Sequence, residues 1–198
     1  MTGAATGRRE RTKAANRAAL VDAARAVFGE LGYEAVAVRD IVRRTGLASG
    51  TFYNYFPDKQ AVFRAVVEET GAEVRRRVRD ARTAARGLPD FIEAGYRAYF
   101  AAIVADPTTF AFLRRNLDVL RATGLEHELP LGAAELAEDL AALVARGGLA
   151  AVDVDYCAHA MVAVGVELGA RMAERDPPDA DGATRFASDL FLQGLRPA

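Results

Sequence analysis

Residues 38–59 constrain the fold more than any other stretch of this chain: Val38-Arg39-Asp40-Ile41-Val42-Arg43-Arg44-Thr45-Gly46-Leu47-Ala48-Ser49-Gly50-Thr51-Phe52-Tyr53-Asn54-Tyr55-Phe56-Pro57-Asp58-Lys59. They read as two short helices joined by a turn at Gly46. Ile41, Val42, Phe52 and Phe56 supply apolar anchors on one side. Ser49, Thr51, Tyr53, Asn54 and Tyr55 place hydroxyls, an amide and aromatic edges within two turns of the second helix. The pattern predicts a helix-turn-helix over residues 37–56, a motif whose usual partner is the DNA major groove.

The remainder also reads as helix. Ala18, Val21, Ala24, Ala26, Val27, Phe28 and Leu31 recur at helical spacing between Ala14 and Leu31, and Gly32 stands where a helix ends. Pro57-Asp58 stops the second helix of the motif. A long helix follows, in which Val62, Val66, Thr70, Val74 and Val78 recur every four residues. Further helices are expected from about Pro89 to Ala105, from Pro107 through about Arg121, from roughly Leu131 to Arg146, from Asp153 through about Arg175, and from about Asp179, the last carrying Phe186, Leu190, Phe191 and Leu195. Residues 124–130 are expected as a loop. No alternating strand pattern and no internal repeat is present. The expected fold is all-α: an N-terminal three-helix helix-turn-helix head joined by a long helix to a C-terminal helical bundle. Residues 1–13 are expected as a basic disordered arm, 14–74 as the head, and 75–198 as the helical body.

Charge divides along the same line. Through Lys59 the chain has ten basic residues against six acidic ones, a net of +4, so the rest carries −5 of the total −1. A basic head on an acidic body is the distribution expected if the head alone meets phosphates. No uncharged apolar stretch, Ala160 to Val166 included, comes near the roughly 20 residues of a bilayer span. The start has no apolar core of a signal peptide. A lone Cys157 cannot form an internal disulfide. A cytoplasmic protein is expected.

Phe28, Gly32-Tyr33, Arg39-Asp40-Ile41, Gly46 and the run Gly50 to Lys59 stand in the order and spacing of the TetR family of bacterial transcriptional regulators. The resemblance is close from about Ala14 to Thr70; beyond it only helix number and length are similar. The chain departs from the family at Ala37 and Ala48, where a hydroxyl residue is usual. An Ala at a helix start forgoes a side-chain cap at a cost of roughly 1 kcal/mol. Ser49, or a phosphate of bound DNA, are the expected substitutes.

The resemblance implies that Ser49 to Tyr55 enter the major groove, with the helix from Val38 across its edge. Arg39 then grips guanine O6 and N7, or else forms an exposed salt bridge with Asp40 or Glu34. Thr51, Tyr53 and Tyr55 would contact phosphates, Thr51 alternatively a thymine methyl, and Lys59 a phosphate. Asn54 either reads adenine or faces solvent. Gly50 is expected to allow close approach of the backbone to DNA, while Phe52 and Phe56 belong to the core. The arm from Arg8 to Arg17 would add sequence-tolerant contacts.

One head of this size buries too little DNA for tight binding, so a homodimer on a palindromic operator is expected. Val154, Ala158, Met161, Val162, Gly165, Leu168 and Gly169 form one apolar stripe and Phe186, Leu190 and Phe191 another. They fit either a two-fold four-helix interface or internal core, and periodicity does not separate the two. Family members commonly bind a small-molecule effector in the body. Phe91, Tyr96, Tyr99, Phe100, Phe110, Phe112, Leu113, Leu117 and Leu120 could line such a pocket, with Asn116, Tyr156 and His159 as polar groups. Such a lining favours an apolar or aromatic effector.

No Gly-rich phosphate loop, metal-ligand spacing or nucleophile-His-acid set is present, and no cofactor is expected. An enzyme is not expected. The rival is a helical adaptor that binds protein through the same surface. A repressor is the default, since nothing resembles a polymerase-contacting module.

Overall fold

The computed structural model describes residues 3–125 and 132–194. Its helices are α1 (Gly3–Leu31), α2 (Val38–Arg43), α3 (Ser49–Phe52), α4 (Lys59–Thr83), α5 (Leu88–Ala105), α6 (Pro107–Arg115), α7 (Leu117–Ala122), α8 (Ala133–Ala145), α9 (Val154–Ala173) and α10 (Ala180–Gly194). No strand is present among the described residues, and no helix there is long and apolar enough to cross a membrane. The expected all-α class is observed. Residues 126–130 of the expected loop, the expected helix start at Leu131 and Leu195 lie outside the described residues.

The chain folds as two compact units. One combines residues 3–69 with 108–125, the other 70–107 with 132–194. The expected boundaries at 74 and 75 are therefore corrected: 108–125 belong with the head, not with the body.

Aromatic packing explains why. Phe28 of α1 meets Phe63 of α4 edge-on at 5.2 Å, and Phe112 of α6 lies 5.5 Å from Phe63 and 6.3 Å from Phe28. All three are buried to 1% exposure or less. Such ring pairs add about 0.5–1.5 kcal/mol each beyond the area they bury. Asn116 completes the clamp. Its Oδ1 accepts from the Tyr33 amide at 2.7 Å, while its Nδ2 donates to the Phe112 and Phe28 carbonyls at 2.8 and 3.1 Å. The helix expected to run unbroken from Pro107 through about Arg121 is interrupted at this residue, which turns its side chain inward to the end of α1.

A second correction concerns the arm. Residues 3–13 are the first part of α1 rather than a disordered segment. The stretch from Arg8 to Ala19 is rich in Ala, Arg, Lys and Glu, good helix formers, and contains no Pro or Gly. The Thr12 hydroxyl donates back to the Arg8 carbonyl at 3.0 Å within this turn.

In the second unit α5 supplies Phe91, Ile92, Tyr96, Tyr99, Phe100 and Ile103 to the core. Tyr96 stacks on Phe100 and on Phe191 of α10, and its hydroxyl donates to the Met161 carbonyl at 2.9 Å. Burial pushes the Tyr96 and Tyr99 phenols well above their ordinary range, so both stay neutral. Burial likewise raises the Cys157 thiol. The last two helices begin where expected, and their starts are capped: Asp153 accepts from the Tyr156 amide at 3.0 Å, and Asp179 from the Gly182 amide at 2.8 Å.

Candidate nucleic-acid interface

The helix-turn-helix is anchored from behind and exposed in front. Ile41 and Phe52 are fully buried, and Val42 and Phe56 nearly so. Gly46 sits in the left-handed region at φ 69°, which a side chain rarely adopts, and so reverses the chain between α2 and α3. The Thr45 hydroxyl locks the turn, donating to the Val42 carbonyl at 2.9 Å and accepting from the Leu47 amide at 3.2 Å.

Regular α3 geometry ends at Phe52, short of the expected Tyr55. The chain continues in tight turns instead, with the Asn54 and Tyr55 amides donating to the Thr51 and Phe52 carbonyls at 3.2 and 2.9 Å. These turns keep Phe56 on the core side and leave Ser49, Gly50, Tyr53 and Asn54 exposed, with Thr51 and Tyr55 half-buried. A Cβ placed on Gly50 would meet no heavy atom within 4 Å. The protein's own packing thus gives no reason for a glycine there.

The two missing caps are handled differently. At α2 the Asp40 carboxylate accepts from the Ala37 amide at 2.9 Å, satisfying one terminal donor from inside the helix. At α3 no side chain caps Ala48, and Ser49 is not a substitute. Asp40 is a residue whose role the sequence reading missed; its position three residues after Ala37, half of a capping box, was the available signal.

Arg39 is 78% exposed and its Nε lies 3.9 Å from Asp40, a contact too loose and too wet to hold it. Arg44, by contrast, is forked onto Glu30 through both amino groups. Arg39 and the exposed Arg43 are therefore the guanidiniums this face presents.

Lys59, expected at a phosphate, has a partner within the chain. Its ammonium donates to the Tyr33 carbonyl at 2.8 Å and lies 4.2 Å from the centre of the Tyr33 ring. Burial, then the Glu34 and Asp58 carboxylates, hold the Tyr33 phenol above its ordinary value, so the ring under the ammonium stays neutral. Lys59 thus ties α4 to the loop after α1. A Lys59→Met variant is expected to lose about 1–2 kcal/mol of stability in urea unfolding, in addition to any effect on DNA.

In the second unit a cavity of about 30 Å³ is lined by Val78, Arg82, Phe91, Ile92, Gly95, Tyr96, Leu136, Met161 and Val162. Of the expected pocket residues Phe91 and Tyr96 are there. Tyr99 and Phe100 are buried in the core and are not part of the lining. Phe110, Phe112, Leu113, Asn116, Leu117 and Leu120 belong to the other unit, where Asn116 is a structural clamp. Tyr156 is 75% exposed, and the exposed His159 accepts or donates only at the Asp155 carbonyl and carboxylate of its own helix. Neither reaches the cavity. Arg82 was missed, although the four-residue stripe Val74, Val78 continues to it.

The small-residue stripe of α9 is internal. Ala158, Met161, Gly165 and Gly169 are buried, with Gly169 against the Ile103 and Tyr99 side chains. Phe191 is stacked on Tyr96. Val154, Val162 and Leu168 are half-buried. Of the expected interface residues only Phe186 and Leu190, at 61% and 50%, point large apolar groups at solvent, one turn apart on α10.

Among the described residues no three His, Cys, Asp or Glu side chains gather as a metal site. Fold and surface together define an all-helical protein whose N-terminal unit presents a helix-turn-helix. Residues 20–66 match the profile of the family described as bacterial regulatory proteins, tetR family. It is 30% identical over 129 residues to the HTH-type transcriptional repressor Rv1474c of Mycobacterium tuberculosis, covering 65% of this chain and 62% of that protein. It is 40% identical over 60 residues to the HTH-type transcriptional repressor ComR of Escherichia coli, covering 30% of this chain and 29% of that protein. The chain thus aligns with less than two thirds of the length of these curated relatives. The fold is similar to that of the fatty acid degradation regulator FadR from Bacillus halodurans, with a TM-score of 0.78 and 22% identity over 92% of this chain and 97% of that one.

Proposed function

We propose that this chain is a homodimeric, sequence-specific DNA-binding transcriptional regulator. It acts as a repressor on a palindromic operator and is released by a small apolar or aromatic effector. The observation that carries the reading is the two-sided surface formed by α2, α3 and the turns that follow α3. Phe52 and Phe56 are spent on the core, while Arg39, Ser49, Gly50, Thr51, Tyr53, Asn54 and Tyr55 form a face with no internal task that requires their chemistry. Arg39 reads a guanine, and the hydroxyls and the uncapped α3 amides meet phosphates. Arg43 joins them as a phosphate contact, and the exposed Arg8, Arg9, Arg11 and Lys13 of α1 add a salt-sensitive term.

Dimerisation is supported by Phe186 and Leu190, whose exposure has no explanation within one chain. The effector reading rests on the apolar cavity of the second unit. At about 30 Å³ it holds only a water or two, so an effector must part its walls, and the flexible Met161 is suited to yield. A Leu190→Glu variant tests the assembly: sedimentation equilibrium should show a dimer become a monomer, and affinity for sheared genomic DNA should fall. Wild-type affinity should also drop steeply with salt. Binding that ignores salt, or a variant that stays dimeric, contradicts the reading, and salt-independence favours the protein-binding adaptor.

A further inference from the structure

The cavity wall contains one group that an apolar core does not need. Val78, Phe91, Ile92, Leu136, Met161 and Val162 are hydrocarbon or thioether, and the Tyr96 hydroxyl is already committed to the Met161 carbonyl. Arg82 is the exception. It is only 7% exposed, and its guanidinium lies 5.8 Å from the centre of the Phe91 ring. Gly95 makes room for it: a Cβ there would stand 3.3 Å from Arg82 Cγ and 3.5 Å from Cδ. A guanidinium cannot be neutralised at ordinary pH, so one placed here requires an anion.

The anion it has is Asp139 of α8, and the pairing is lopsided. Arg82 Nε and Nη2 approach the same oxygen, Oδ2, at 3.0 and 2.9 Å, rather than forking across both carboxylate oxygens. The Asp139 side chain is 38% exposed against 7% for Arg82. Asp139 can therefore swing into water at little cost, whereas Arg82 must stay and keep an anionic partner. A second carboxylate arriving from the cavity side would take the full fork.

We infer that the cavity accepts an apolar molecule bearing a carboxylate, gripped by Arg82 in competition with Asp139. This deepens the effector reading and rests on it. The hydrocarbon portion enters by parting Phe91, Leu136 and Met161, which line a cavity of only about 30 Å³, and the head exchanges for Asp139 on the guanidinium.

Titration calorimetry of the full-length protein with octanoate and with 1-octanol tests this, since the two share a chain and differ in the head. Octanoate is expected to bind at least about tenfold more tightly than octanol, the margin of a charge-assisted hydrogen-bonded pair. Asp139→Asn should tighten octanoate several-fold and leave octanol unchanged. Arg82→Gln should reduce octanoate to the level of octanol, and Arg82→Lys should restore part of the difference; circular dichroism confirms that each variant is folded. Equal binding of the two probes to the wild type, or a preference that Asp139→Asn leaves untouched, overturns the carboxylate inference and leaves an apolar effector standing. Saturable binding of neither probe overturns the inference and the cavity as an effector site together.

Discussion

An Asn116→Ala chain loses about 2–4 kcal/mol of stability in its N-terminal unit, through three lost hydrogen bonds, two of them buried, and a part-buried donor left without an acceptor. Asn116 is 1% exposed and links the Tyr33 amide to the Phe28 and Phe112 carbonyls. The carbonyls survive its removal, because Phe28 also accepts from the Gly32 amide and Phe112 from the Asn116 backbone. The Tyr33 amide does not. Hydrogen exchange should therefore show the Tyr33 amide losing protection first, with a lowered urea midpoint for the unit. An unchanged midpoint would mean that the aromatic contacts of Phe112 hold residues 108–125 in place by themselves.

Arg39→Ala is the complementary change, with a large effect on DNA and almost none on folding. Its side chain is 78% exposed and only loosely paired, so the melting temperature should stay within about a degree of the parent, in line with an exposed salt bridge worth almost nothing. A bidentate guanine contact is worth about 1–3 kcal/mol. On a palindrome read by two heads the loss doubles, giving a weakening of between about 30-fold and about 10⁴-fold for operator, with far less for non-specific DNA. A uniform loss on all sequences would move Arg39 from base reading to phosphate contact.

The parts of this molecule legible in the sequence are those where local pattern and burial coincide. The spacing of Ile41, Phe52 and Phe56 within the motif leaves one side for packing, and all three are buried. Asp153 and Asp179 announced helix starts because a cap acts on amides two or three residues away. What failed was non-local. Asn116 reads as a pocket residue in the sequence because its partners at Phe28 and Tyr33 lie 88 and 83 positions away, out of reach of any periodicity. The α9 stripe Ala158, Met161, Gly165, Gly169 has the same spacing whether it meets a second copy or α5, and it packs internally. Lys59, expected at a phosphate from its place at the start of α4, has in addition an internal partner in Tyr33, 26 positions away. Arg82 followed the valines of α4 at the same four-residue step, and its charge concealed that it faces inward.

The candidate DNA face was the easier part because it depends on one short motif. Its exposed and buried residues alternate within the span from Ser49 to Phe56. The cavity depends on α4, α5, α8 and α9 together, and of the residues expected to line a pocket only Phe91 and Tyr96 of α5 border it.

In the proposed function, Arg39 and the face from Ser49 to Tyr55 read a sequence. The most direct test incubates the purified protein, and separately its Arg39→Ala variant, with sheared DNA of the source organism at moderate salt, then recovers and sequences the bound fragments. The prediction is enrichment of a short palindrome with half-sites about one helical turn apart, lost in the variant. Uniform recovery of fragments by the wild-type protein, with no shared sequence, would contradict it.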